Sequence, residues 1–187
     1  YQCQNLYFKK KKEVMLTQDQ LQSEIRAWSS EALETKQDNG HATCPYAKNT
    51  WNKQKVKILK SKDIYWEDLF KCALNFPKDY DVVIYCDFNV DLPVEVFDDR
   101  LNLFNTLFSK QNLWLMGFHQ DHDSKSIVEL DDFEPMYEDA YNMVFMQGLK
   151  ELNNASQNLA DLGYYSNWTK EEYDNILIRW SIQNEEK

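Results

Sequence analysis

Apolar positions along this chain recur with two periods. Leu21, Ile25, Trp28 and Leu33 repeat at helical spacing behind Thr17-Gln18-Asp19-Gln20. That tetrad is a capping box, whose hydroxyl and amide side chains satisfy free N–H groups at a helix start. Asn39-Gly40 is the expected stop, because both residues tolerate a left-handed backbone. Val56-Lys57-Ile58-Leu59 alternates with lysine and predicts an edge strand. Asp63 opens a helix carrying Trp66, Leu69, Phe70 and Ala73, which ends near Pro77. Val82-Val83-Ile84-Tyr85-Cys86 is an unbroken β-rich run, the pattern of a strand covered on both faces. Asp91 and Pro93 introduce a helix with Phe97, Leu101, Phe104 and Phe108 on one stripe, and Leu113 to Met116 is a third strand. From Pro135 a long helix is expected, with Tyr141, Phe145, Gly148, Leu152, Ala155, Leu159 and Leu162 in a seven-residue rhythm. A second capping box, Thr169 to Glu172, opens a last helix bearing Tyr173, Ile176, Leu177 and Trp180.

These elements predict one α/β domain over residues 17–187, preceded by an arm at 1–16. The sheet is expected to be small and mainly parallel, in the order β-α-β-α-β, with packed helices and a C-terminal two-helix extension from about residue 136. Strands separated by helices imply parallel pairing with right-handed crossovers. Ligands gather at the carboxyl ends of such strands. Asp87 follows the second strand and His119 the third, so both are expected at one edge.

Composition narrows the chemistry. The 187 residues include four glycines, Gly40, Gly117, Gly148 and Gly163, none near another. A phosphate-cradling loop needs clustered glycines, so Walker-type and dinucleotide loops are excluded. The net charge of -10 argues against general nucleic-acid binding, since phosphate contacts need a basic surface. The Lys9 to Lys12 run reads as a solvated arm or an electrostatic contact for an anionic partner. Cys3, Cys44, Cys72 and Cys86 are widely spaced, without a Cys-x-x-Cys pair, which suits a reduced cytoplasmic protein. No apolar run approaches 18 residues, so no membrane span is expected.

Three constellations could carry chemistry. Gly117-Phe118-His119-Gln120-Asp121-His122-Asp123 holds two of the three histidines beside two aspartates. His119, His122 and Asp121 are candidate ligands for a divalent transition metal such as Zn, Fe, Mn or Ni. Acid-base duty for a histidine and a plain polar turn are the alternatives. Thr43-Cys44-Pro45-Tyr46-Ala47-Lys48 places a cysteine before a helix-starting proline, where the dipole favours thiolate. Cys44 is then a nucleophile, a ligand or a buried loop anchor, with Lys48 available for an anionic group. Tyr46, Trp51 and Asp87 are candidate binding residues. The aromatic set Trp51, Tyr164, Tyr165 and Trp168 either packs over core edges or lines a pocket. The acidic series from Asp121 to Asp139 does not match a calcium loop, whose central Gly and terminal Glu it lacks.

Cys44-Pro45-Tyr46-Ala47-Lys48 and Gly117-Phe118-His119-Gln120, in that order and with Asp87-Phe88 between them, resemble a bacterial family known as the domain of unknown function fourteen-fifteen. Its members carry a Leu-Cys-Pro-Phe-Ala-Lys motif and later a Ser-Phe-His-Pro motif after an apolar strand. The resemblance spans roughly residues 40–123, and the family's later Asn-Arg-Ser-Pro segment has no counterpart here. It implies that Cys44 and His119 belong to one site, and it supplies no substrate.

Two function classes follow. One is a small cytoplasmic enzyme or ligand-binding protein with a Cys44, His119 and Lys48 centre, metal-assisted or thiol-dependent, acting on a small molecule. The other is a non-catalytic module that docks a protein partner through its C-terminal helices. Exposure of Tyr141, Phe145, Leu152 and Leu159 discriminates between them.

Overall fold

Four strands form one sheet in the order β1-β2-β4-β3. They are β1 (Val56–Lys60), β2 (Val82–Asp87), β3 (Leu113–Phe118) and β4 (Asn142–Gly148). The computed structural model describes residues 16–36, 40–61, 65–87, 92–119, 142–166 and 168–184. β1 and β2 pair in parallel, whereas β4 runs antiparallel to both β2 and β3. The sheet is therefore mixed and mostly antiparallel, which corrects the expectation of a mainly parallel β-α-β-α-β sheet.

The correction comes from β4. Residues 142–148 were expected inside a long helix starting near Met136. They form a strand instead, and the helix α5 (Leu149–Asp161) begins only after Gly148. Asn142 to Phe145 and Met146 are all buried, so this segment is covered on both faces. An apolar run buried all round carries no face preference, and β-rich Val144-Phe145 between two open strand edges gains a full ladder on each side. Within α5 the buried residues are Leu149, Asn153 and Ser156, which are not the expected heptad positions.

Two layers of helix cover the sheet. On one face lie α3 (Tyr65–Leu74) and α4 (Val94–Phe108). Leu69, Val83, Tyr85, Phe97, Leu101, Leu115, Val144 and Met146 make the core there. On the other face α1 (Gln18–Trp28) packs Leu21 and Ile25 against Ile58, Ile84, Cys86, Met143 and Phe145. The two sets alternate along each strand, as the pleat requires. The Thr17 capping box forms as expected, with the Gln20 N–H donating to the Thr17 hydroxyl at 3.2 Å and the Thr17 N–H to the Gln20 amide at 2.8 Å. The helix then widens into a π turn, Ser29–Leu33, and stops short of Asn39-Gly40. A short α2 (Ala47–Asn52) precedes β1, and α6 (Lys170–Asn184) closes the chain. No helix among the described residues is long and apolar enough to cross a membrane.

The alternating β1 is an edge strand, as its lysines predict, and β3 is the other. α4 seals β3 with one side chain. Asn105 donates from Nδ2 to the Leu115 carbonyl at 2.9 Å and accepts the Leu115 N–H at 2.8 Å, both inside the core. On β1, the Gln18 amide donates to the Ile58 carbonyl at 3.0 Å. Close approach of α4 to β3 also needs Gly117, where a Cβ would overlap Leu101 Cδ1 and Phe97 Cε1. Both of those side chains are buried and have nowhere to go.

Two outcomes are expected. Gly117→Ala should lose about 1–3 kcal/mol through overpacking, read as a fall in urea midpoint at unchanged m-value. Asn105→Leu should lose about 1–3 kcal/mol by orphaning two backbone groups, with the Leu115 amide exchanging faster than its β3 neighbours.

Candidate functional site

Three strands, β1, β2 and β3, point the same way although β3 does not pair with the others. Their carboxyl ends share an edge with the amino end of β4. Asp87 ends β2 and sits opposite Asn142, the first residue of β4. Directly opposed residues of this kind have Cα atoms about 4.5–5.5 Å apart. His119 comes one residue after the Phe118–Met143 pair.

All three side chains belong to the α4 face. Alternation places Asp87 with Val83 and Tyr85, and Asn142 with Val144 and Met146. The His119 ring lies 5.3 Å from the Phe97 ring of α4, edge on. Asp87, Asn142 and His119 thus form a polar row across three adjacent strands, and all are buried, at 5%, 0% and 5% exposure. Buried polar side chains at a strand edge, side by side, are an arrangement a hydrophobic core does not require. His119 is oriented by its Nε2, 2.8 Å from the Leu92 carbonyl. A ring that donates Nε2–H to a carbonyl is, in its neutral form, the tautomer with its lone pair on Nδ1. That form ligates a metal or accepts a proton. Burial and the charges of Asp68 and Asp87 push the neighbouring Tyr85 hydroxyl well above its usual range, so it stays neutral.

Cys44 lies elsewhere. Its N–H donates to the Leu33 carbonyl at 2.8 Å, at the end of the π turn that continues α1. α1 belongs to the sheet face opposite α4. Cys44 thus hangs from the end of the π turn, whereas His119 directly follows β3. Cys44 lines a pocket of about 350 Å³ with Glu34, Lys36, Gly40, His41, Ala42, Pro45 and Lys48. The Tyr46 and Ala47 N–H groups favour its thiolate, but burial outweighs them and the Glu34 charge adds to burial. The thiol is pushed up and protonated at neutral pH, contrary to the expectation from the helix end alone. Tyr164 beside it is pushed up to about 12 by burial, with Cys44 and Tyr165 contributing.

The remaining candidates divide. Lys48 keeps its place beside Cys44. Tyr46 is partly exposed, its hydroxyl donating to the Ala155 carbonyl at 3.3 Å. Trp51 is a structural tie, its indole N–H donating to Ser29 Oγ at 2.8 Å under the Arg26 guanidinium. Tyr164, Tyr165 and Trp168 pack edge to edge at the turn after α5. Asp121 and His122 lie outside the described residues. Among the described residues no three His, Cys, Asp or Glu side chains gather into a metal-sized group.

Sequence reasoning missed Asn142, His41 and Arg179. Asn142 would have been found by reading the Met143 to Met146 run as a strand. His41 stood alone in a loop, with only its nearness to Cys44 to recommend it. Arg179 of α6 is buried with neutral partners, Asn153 Oδ1 at 2.8 Å and Ser156 Oγ at 2.9 Å, both on α5. Burial lowers its pKa from the ordinary arginine value, and nothing in the α6 pattern marked it as the bolt between the two helices.

No family model, no curated protein and no solved structure matches this chain.

Alkylation of Cys44 by iodoacetamide should be slow at pH 7 and rise with pH later than for a free thiol, because thiolate is the reactive form. A rate-against-pH profile, with Cys72→Ser as background, checks this. A midpoint below the ordinary thiol value would contradict the burial argument.

Proposed function

We propose that the protein is a small ligand-binding protein or enzyme that works through His119 at the carboxyl edge of its sheet. The supporting observation is the buried row Asp87–Asn142–His119, on one face and across three strands. His119 is the base or the metal ligand through Nδ1, held by the Leu92 carbonyl behind it. Asp87 is the negative group of the row, suited to a bound cation. Asn142 supplies a neutral donor and acceptor between them. In the metal-assisted version, Asp121 and His122 complete the set around a divalent transition metal. The thiol-dependent version has the weaker support, because burial raises the Cys44 pKa and disfavours thiolate. A reduced cytoplasmic setting accords with free thiols at Cys44, Cys72 and Cys86.

The docking-module reading shifts its ground. Phe145 is buried inside β4, so the heptad stripe is not a free helical face. Exposed Leu162, Leu177 and Ile178, on the α5–α6 pair, favour that reading instead.

Elemental analysis of tag-free protein tests the first reading, with wild type, His119→Ala and Asp87→Asn in parallel and circular dichroism to verify folding. The expected result is about one metal equivalent in wild type and loss of most of it in His119→Ala, since a removed ligand costs 10-fold or more in affinity. Wild-type protein without metal would remove the metal-assisted version.

A further inference from the structure

The loop between the π turn and α2 is more firmly built than its role in the core requires. It contributes no residue to either hydrophobic cluster before Trp51. Yet it is pinned at several points. An isolated antiparallel bridge joins Lys36 to Ala42. Cys44 N–H bonds the Leu33 carbonyl, the Tyr164 hydroxyl donates to the Thr43 carbonyl, and the Tyr46 hydroxyl donates to the Ala155 carbonyl. The His41 ring stands edge on to Tyr164 at 5.7 Å. Loops held this way by a rigid scaffold are where proteins place binding residues.

The pocket they enclose, about 350 Å³, falls in the range of small-molecule sites. Its charge is opposite to that of the protein. The net charge of the chain is -10, but the described lining holds Lys36, Lys48 and His41 against Glu34 alone. Glu34 is paired with the Arg26 guanidinium in a two-pronged ion pair. The described ion pairs use neither Lys36 nor Lys48. Two uncommitted ammonium groups, an imidazole and a neutral thiol donor therefore converge on one ligand-sized space.

We propose that this pocket binds a small organic anion through a phosphate or carboxylate group, held by Lys36 and Lys48 with His41 as a third donor. Cys44 acts as a neutral wall and hydrogen-bond donor, and no covalent step is involved. The described lining of this site shares no residue with the Asp87–Asn142–His119 row.

Calorimetric titration and ¹H–¹⁵N NMR of the full chain test the proposal. The probes are inorganic phosphate and malonate, with sodium chloride at matched ionic strength as control. Saturable binding with a Kd of at most about 1 mM for one probe is expected, with shifts confined to the Lys36, His41–Ala42 and Cys44–Lys48 amides. Phosphate stronger than malonate names a phosphorylated ligand, and the reverse names a carboxylate. Both lysines are exposed, so Lys36→Gln/Lys48→Gln should fold normally and bind at least about 10-fold more weakly. His119→Ala should bind like wild type, which separates this result from the carboxyl-edge reading. No saturation by either probe, or equal affinity in the double variant, would overturn the proposal.

Discussion

The insertion of β4 between β2 and β3 is the constraint on which the rest depends. Without it, β2 and β3 would each present an open edge, and β3 would have no strand to pair with. β4 supplies Val144 and Met146 to one core and Met143 and Phe145 to the other. Its backbone is satisfied on both sides by antiparallel ladders. Because it runs opposite to its neighbours, its first residue meets their last ones. That is why an asparagine from late in the chain stands between an aspartate and a histidine that are 32 positions apart in sequence.

Much of the frame was legible. The Thr17 box, the buried run of β2, the lysine-marked edge of β1 and the α4 stripe each rest on local rules that tertiary structure did not override. β4 was not legible, and the reason is physical. A segment covered on both faces shows neither period, so Phe145 and Gly148 could be absorbed into a heptad, although α5 itself buries Leu149, Asn153 and Ser156. Reading that segment as helix removed the antiparallel strand and left a parallel sheet as the default. The common edge of Asp87 and His119 survived the error, because β2 and β3 do point the same way.

Electrostatics separates the two candidate stations more sharply than sequence did. At the carboxyl edge a histidine and a carboxylate stand on either side of an asparagine, in an apolar surround that strengthens whatever charge is placed there. In the loop pocket, lysines face solvent-sized space and the one acid is already spoken for by Arg26. The first arrangement suits a cation or a proton, the second an anion. A helix-end thiol that looked reactive proves to be a buried one, since desolvation exceeds what two peptide N–H groups return.

The amides of Gln18 and Asn105 have a consequence beyond the bonds they make. They come from helices on opposite faces, and each reaches over a different border of the sheet. A bare strand border is a template on which a second chain can add, copy after copy. Here Ile58 and Leu115 have their outward groups taken, and β1 surrounds its border with Lys57 and Lys60. A four-stranded sheet guarded at both ends resists accretion into fibrils even while its helices show Leu103, Leu162 and Ile178 to the solvent. The chain can thus keep an apolar exterior at high concentration without its strands becoming a seed.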